Sequence, residues 1–383
     1  AGELMPAIRA NPASTRLLAW VWGWVLALVL VLTGCSQAPV TVGFLGGLTG
    51  SAADPGVGGR DGALLAVEQA NARGGVGGRA VNLRVFDDGQ QPERLASIWP
   101  SIESAGLSAM VGPMTSSVAA HWLPLANQAQ LLTVSPTVTS SRFSGMDDHF
   151  FRVISSTREY ASLTARHHLA AGQWRRYALV LDASNQAYTF SWAEHFEAAV
   201  RTYGGEVVAT VAYPRDAAAA LDGALEQALA ASPEALMVVA NATDTARLAQ
   251  LLRQRGITLP LLGAEWAATP QLLLAGGRAV EGMLLAQYMD RESKVPRYVA
   301  FDAEFRRRYG RAPGFVEVAA YDAMQVVLAG LAQQQRDESL KHTLLRLRRF
   351  QGVQQDIVFD GYGDSQRALA MTRVSNGRFV VVP

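Results

Sequence analysis

The feature that most limits what this chain can become is a repeated alternation of short apolar runs with longer segments of helical spacing. Residues 40–45, 81–86, 109–111 and 131–134 are strand-length runs led by Val, Leu, Phe and Met. Between them, residues 60–72, 92–105 and 117–130 read as helices; in the first, Ala63, Leu64, Val67 and Ala70 fall on one face. Strand–helix–strand order lays each new strand parallel to the last, with the helices covering the sheet. The rhythm restarts after residue 156, with helices over 159–171, 190–203, 218–231 and 243–255 and strands over 177–181, 206–211, 235–240 and 261–262. A final stretch is helical over 299–308, 316–331 and 340–348, with only short strands near 357–359 and 379–382. It starts no third unit and is placed to return to the first. The expectation is two α/β lobes, each a parallel-rich sheet flanked by helices, with a crevice between them and three crossings of the chain.

In a parallel sheet the strands end at one edge, and the loops there face the crevice. Two of these loops carry the same chemistry. Val111-Gly112-Pro113-Met114-Thr115-Ser116-Ser117 and Thr133-Val134-Ser135-Pro136-Thr137-Val138-Thr139 both pass from an apolar strand through a proline into hydroxyl residues. Backbone N–H groups and Ser/Thr hydroxyls gathered at a helix start suit a carboxylate. The competing reading is local, with Thr115 or Ser116 capping the helix that follows. The glycines of Gly46-Gly47-Leu48-Thr49-Gly50 and Gly56-Val57-Gly58-Gly59 lack the G-x-G-x-x-G spacing of a dinucleotide fingerprint, and a helix is expected only from residue 60.

A chain of 383 residues is long enough for two cores. A formal net charge of +1 with 17% charged residues gives no electrostatic case for nucleic acid. The basic cluster Arg346-Leu347-Arg348-Arg349 lies among helical residues and reads as a solvated face. His121, His149, His167, His168, His195 and His342 include no H-x-x-x-H pair, and no G-x-S-x-G, P-loop or S-x-x-K motif occurs. The reading is therefore not an enzyme, with no cofactor and no metal.

Cys35 is the single cysteine, so no internal disulfide can form. Arg9 and Arg16 precede an uncharged apolar run over residues 17–32, and Leu32-Thr33-Gly34-Cys35 follows. This segment resembles a bacterial lipoprotein signal, which implies cleavage before Cys35, a lipid on its thiol, and a chain held at the membrane of the cell envelope through a tether over residues 36–39.

Further along, a set of motifs in order resembles the branched-chain amino-acid-binding (Leu/Ile/Val-binding type) family of periplasmic receptors that serve ABC transporters. They are Val42-Gly43-Phe44-Leu45-Gly46-Gly47-Leu48-Thr49-Gly50, the run from Gly62 through Asn71-Ala72-Arg73-Gly74-Gly75, Asp87-Asp88, Val111-Gly112-Pro113 and Ser135-Pro136. Arg152, Glu281-Gly282-Met283, Tyr321-Asp322-Ala323 and Phe359-Asp360-Gly361-Tyr362-Gly363-Asp364 extend it. The resemblance implies a two-lobed type I periplasmic-binding fold, with lobe 1 formed by residues 40–155 and 289–358 and lobe 2 by 156–288 and 359–383. It implies that a small zwitterionic ligand, an amino acid or related amide, is closed between the lobes and passed to ABC transporter membrane subunits.

By position in the motifs, the ligand carboxylate falls to Ser116, Thr115, Thr137 and Thr139, and the ammonium to Glu265 in Gly263-Ala264-Glu265-Trp266. The physics agrees, because a buried ammonium needs a partner charge to offset its desolvation. Tyr188 matches the tyrosine that the family brings to the ligand from lobe 2. Two departures imply a more polar pocket: Asp54-Pro55-Gly56 stands where leucine-type receptors place an aromatic residue, and Asn241-Ala242-Thr243-Asp244 replaces glycines and an aromatic. Asn241 or Asp244 would then read the ligand side chain, with helix capping as the local alternative. The alternative function is a sensing or regulatory lipoprotein of the same fold that acts on a partner such as a cell-wall enzyme.

Overall fold

The computed structural model describes residues 38–50, 53–172, 174–214 and 218–382. The lipoprotein-type signal and Cys35 lie outside the described residues.

Lobe 1 is built on five parallel strands, β1 (Val40–Gly46), β2 (Val81–Asp87), β3 (Ala109–Val111), β4 (Thr133–Ser135) and β5 (Phe150–Arg152), in the order β2-β1-β3-β4-β5. The order reverses between β1 and β3, and loops at such a switch point open into a crevice. Helices α1 (Asp54–Ala72), α2 (Arg94–Glu103) and α3 (Ser116–Gln128) connect the strands. Helix α1 begins six residues before the expected start at residue 60. Pro55 occupies its first turn, where a missing N–H costs nothing. The glycines that read as a turn serve packing instead: a Cβ on Gly56 would fall 1.9 Å from the Gly47 carbonyl oxygen.

Lobe 2 repeats the plan. Helices α4 (Thr157–Ala170), α5 (Gln186–Thr202), α6 (Ala218–Ala230) and α7 (Ala242–Gln254) alternate with β6 (Arg176–Asp182), β7 (Glu206–Tyr213), β8 (Ala235–Val239), β9 (Leu261–Gly263) and β10 (Leu284–Gln287), and the short α8 (Pro270–Gly276) lies between the last two strands. The parallel strands run β7-β6-β8-β9-β10, the same relative order as in lobe 1.

The tail then returns to lobe 1 as α9 (Pro296–Tyr309), α10 (Phe315–Gln333) and α11 (Leu340–Leu347). Arg308 pairs with Glu68 at 2.9 Å, and the Tyr309 hydroxyl donates to the Asp61 carbonyl at 2.9 Å. A Cβ on Gly62 would lie 2.3 Å from the Glu317 carbonyl oxygen, so only glycine permits α1 and α10 to approach this closely. Helix α10 is long and apolar enough to cross a membrane, yet 72% of its apolar window is buried, which makes it a core helix. After the short hairpin β11 (Arg349–Phe350) and β12 (Ile357–Val358), the chain crosses a third time to add β13 (Ala370–Ser375) and β14 (Arg378–Val381) antiparallel at the edge beyond β10. Strands β5, β10, β11 and β13 have no counterpart in the sequence reading.

One side chain gathers the crossings. Arg367 donates from Nε to the Val153 carbonyl at 2.7 Å and from Nη1 to the Gln355 carbonyl at 3.0 Å, and it forms an ion pair with Asp322 at 2.8 Å. The Gln355 amide donates to the Tyr288 carbonyl at 2.9 Å. All three crossings therefore meet at one buried network.

Candidate functional site

The lobe 1 wall is made by the loops after β3 and β4, stitched together by their own hydroxyls. The Ser135 hydroxyl donates to the Pro113 carbonyl at 2.9 Å and accepts from the Val138 amide at 3.2 Å. The Thr137 hydroxyl donates to the Met114 carbonyl at 2.7 Å, and the Ser116 hydroxyl accepts from the Ser140 amide at 3.4 Å. Thr115 sits at the N-cap of α3 in extended conformation, with no capping bond from its side chain.

The lobe 2 wall centres on Glu265, which follows β9 in a single 3-10 turn, Glu265–Ala267. Its side chain is buried, with 5% of the residue exposed. One carboxylate oxygen accepts from the Trp192 indole N–H at 3.0 Å, and the other accepts from the Thr139 hydroxyl of lobe 1 at 3.3 Å. Burial raises its pKa from 4.5 to about 7, against the lowering pull of its hydrogen bonds. Tyr188 is buried beside it, its ring edge-on to Trp266 at 5.6 Å, and its hydroxyl faces the Glu265 carboxylate and helps to hold that pKa down. A carboxylate ringed by Trp192, Trp266 and Tyr188 is an environment for an organic cation, which gains both the charge and the aromatic faces.

Between the walls lies a cavity of about 20 Å³, room for roughly one water molecule. The lobes are closed on each other, and the Thr139–Glu265 bond spans them. Ser116, Thr137, Thr139, Tyr188 and Glu265 all line this cavity, and Thr115 and Asn241 do not. Asn241 caps α7 by accepting the Asp244 amide at 2.9 Å, and its own amide donates to Asp244 at 2.9 Å and Asp182 at 3.3 Å. Asp244 also takes the Tyr213 hydroxyl at 2.9 Å, so this polar group is satisfied within lobe 2.

Six further lining residues, Pro55, Met114, Ile154, Trp266, Phe315 and Val316, are apolar, beside the polar Ser116, Thr137, Thr139, Asn185, Tyr188 and Glu265. Asp54, one of the residues behind the expectation of a more polar pocket, accepts from the Thr269 hydroxyl of lobe 2 at 3.1 Å and does not line the cavity. Sequence reasoning missed Trp192, Asn185 and the α10 residues. Trp192 was within reach, since it stands four residues after Tyr188 and so on the same face of α5. Asn185 accepts the Ser117 amide of lobe 1 at 3.0 Å, a pairing no local pattern encodes. Among the described residues, no group of three or more His, Cys, Asp or Glu side chains is placed to hold a metal.

Two duplicated α/β lobes, joined by three crossings and closed over a buried acid, form a cleft suited to enclosing a small ligand. The sequence profile of the periplasmic binding protein family matches residues 39–378, and the chain belongs to that family. It is 26% identical to the Leu/Ile/Val-binding protein homolog 3 of Brucella melitensis over 80% of this chain and 82% of that one. The leucine binding protein of Thermotoga maritima shares the fold, with a TM-score of 0.82, 21% identity, and coverage of 90% of this chain and 98% of that one. A solute binding protein of R. palustris in complex with benzoate also has a TM-score of 0.82, at 18% identity and with coverage of 90% and 95%. One of these solved structures is named for leucine and the other holds benzoate, so the fold leaves the ligand to the side chains.

Proposed function

We propose that this chain is the ligand-capturing lipoprotein of an ABC importer, and that it closes on a small molecule carrying both an ammonium and a carboxylate. Glu265 carries the reading. It is a buried acid contacted by a tryptophan from its own lobe and a threonine from the other, so a cation placed there would touch both lobes. The ammonium takes the Glu265 carboxylate, and the ligand carboxylate takes the Ser116, Thr137 and Thr139 hydroxyls with the amides of their loops. Thr139 donates to Glu265 across the lobes at 3.3 Å, and a zwitterion entering between them would take over both ends of that bond.

Capture then shifts a population. A ligand that contacts both walls only when they meet stabilises the closed form by its differential affinity for it. The proposal places the lobe boundaries at residues 40–155 plus 289–358 and 156–288 plus 359–383, supported by sheet membership and by the α1–α10 packing. It places the chain in the periplasm, anchored through Cys35. Calorimetry of the purified chain against a panel of amino acids and their amides tests the capture step. Saturable binding by at least one zwitterion, lost on acetylation of its amine to a neutral amide or on replacement of the amine by hydrogen, is the expected result. A panel that gives no heat and no thermal shift would point to the partner-regulating alternative.

A further inference from the structure

The ligand cavity lies where the strands of lobe 1 end. At the opposite edge, where they begin, lobe 1 holds an opening of about 750 Å³, within the size range of small-molecule sites. Val40, the first residue of β1, lines it, and so does the residue just ahead of β3, β4 and β5 in turn: Ser108, Leu132 and His149. The last turn of α10 and the first turn of α11 close its side through Leu331 and through Ser339, Leu340, Lys341 and His342.

The charge of this lining has one sign. Its ionisable side chains are Arg79, Lys341, His149 and His342, and among the described residues no carboxylate lines it. The acids nearby are exposed or engaged. Asp147 pairs with Lys341 at 2.6 Å but is itself 82% exposed, and a solvent-screened pair of this kind is worth little and readily exchanged. Asp148 is buried and accepts the Phe150 amide at 2.9 Å, and Glu338 is held by Arg346 at 2.8 Å and by the Thr343 hydroxyl at 2.8 Å. Ser339 caps α11 by accepting the His342 amide at 3.2 Å, so the first turn of that helix adds the positive end of its dipole. Two fixed cations, two imidazoles and a helix start suit an anion, and a phosphate group above all.

The place of the opening in the chain says where such a phosphate comes from. Arg79 donates from Nε to the Ala38 carbonyl at 2.7 Å, and Cys35 stands three residues upstream. A fully extended chain covers at most about 11 Å over three residues, close to the roughly 8 Å Debye length of physiological salt. A lipid on Cys35 would therefore keep Arg79 within electrostatic reach of the bilayer surface. Resting on the anchoring reading above, we propose that the opening takes the phosphate headgroup of an anionic phospholipid in the membrane that carries the chain. Lobe 1 then stands on the bilayer by the edge where its strands begin, and the ligand cavity, at the other edge, is held clear of it.

The chain purified from bacterial membranes in a neutral detergent tests this, with phosphatidylglycerol, phosphatidylcholine of the same acyl chains and glycerol 3-phosphate as probes. Phosphatidylglycerol titrated into the micelles should raise the melting midpoint saturably. Phosphatidylcholine should not, and glycerol 3-phosphate should act only at concentrations at least about tenfold higher, because it lacks the anchor that brings the headgroup to the opening. Arg79→Gln combined with Lys341→Gln should weaken the phosphatidylglycerol effect about twenty-fivefold, roughly fivefold for each charge. Without added lipid that double variant should melt with the native chain, since the two side chains otherwise hold one carbonyl and one exposed carboxylate. Arg79→Lys combined with Lys341→Arg should retain the effect. Equal shifts with the two lipids, or an undiminished shift in the charge-removing variant, would overturn the site, and glycerol 3-phosphate acting at the same concentration as phosphatidylglycerol would overturn the lipid as its occupant. Mass spectrometry of the same material separates the two readings. An unmodified Cys35 removes the anchoring reading and this proposal with it; a lipidated Cys35 with no preference for phosphatidylglycerol removes the proposal alone.

Discussion

The two lobes share a strand order, β2-β1-β3-β4-β5 against β7-β6-β8-β9-β10, and differ in what their equivalent loops present. After the third strand of each sheet in chain order, lobe 1 places Ser116 at the cavity, whereas lobe 2 places Asn241 and satisfies it internally with Asp182 and Asp244. After the fourth strand, lobe 1 offers Thr137 and Thr139, while lobe 2 offers Glu265. One wall is thus neutral and hydroxyl-rich, and the other carries one acid among aromatic rings. A duplicated scaffold fixes where loops converge, and the division of charge between the copies gives the cleft its polarity.

The largest effect expected concerns what the lobes have in common rather than how they differ. Asp322 and Arg367 form an ion pair with side chains each about 1% exposed, and Arg367 also holds the Val153 and Gln355 carbonyls. Asp322→Ala leaves the guanidinium buried without its counter-charge, which costs about 3–5 kcal/mol. Urea unfolding should register that loss as a lower midpoint. A loss under about 1 kcal/mol, the worth of a solvent-screened pair, would mean the crossings are held by something else.

Next in size is the penalty for the acid wall. The folded-state pKa of Glu265, about 7, lies above its ordinary 4.5. Between those values the folded chain keeps a proton that the unfolded chain releases, so this group's contribution to stability falls as pH rises through the window and is level above it. Full expression of the shift amounts to about 3 kcal/mol, less whatever lobe opening relieves by wetting the carboxylate. Ligand-free Glu265→Gln should therefore match the native chain near pH 4 and exceed it at pH 8, measured by unfolding at both. Equal stability at pH 8 would show that the carboxylate is not buried in solution.

The same residue sets the third effect. A charge-assisted hydrogen bond to a bound ammonium contributes about 1.5–3 kcal/mol, so Glu265→Gln should weaken a zwitterionic ligand by roughly ten- to a hundredfold. Native affinity should rise as pH climbs toward 7, because the proton on Glu265 must leave before the ammonium can pair with it, and it should flatten above. A pH-independent affinity would move the ammonium elsewhere.

How much of this was legible in the sequence follows from which contacts are local. The βα rhythm stood out because most of its strands are buried apolar runs, and the hydroxyl loops of Ser116 and Thr139 showed because they follow strand ends; Tyr188 and Glu265 were singled out only by the resemblance to the receptor family. The start of α1 was obscured, since Gly56 and Gly59 signal a turn by local rules and owe their identity to the Gly47 carbonyl and the Met114 side chain packed against them. Strand β13 carries only Met371 and Val374 as buried large apolar residues, beside Thr372 and the exposed Arg373, and it pairs with β10 across the whole return segment through lobe 1. The apolar lining was hidden for the same reason: Phe315 and Val316 reach the cavity from a helix whose return to lobe 1 is a tertiary fact. Asp54, read locally as a polar pocket residue, spends its carboxylate on Thr269.

The smallest effect tests the neutral wall. Thr139→Val keeps the shape of the side chain and removes its hydroxyl, which donates to Glu265 at 3.3 Å. One neutral hydrogen bond to the ligand carboxylate is worth about 0.5–1.5 kcal/mol, so affinity should fall by roughly two- to twelvefold, well short of the loss in Glu265→Gln. Losing that donor also withdraws one of the bonds that hold the Glu265 pKa down, so the pH at which affinity flattens should move upward. Calorimetry across pH reads both quantities in one series. If Thr139→Val lost as much affinity as Glu265→Gln with no movement of the pH midpoint, Thr139 would not be one neutral donor among several, and the contrast between the two walls would have to be redrawn.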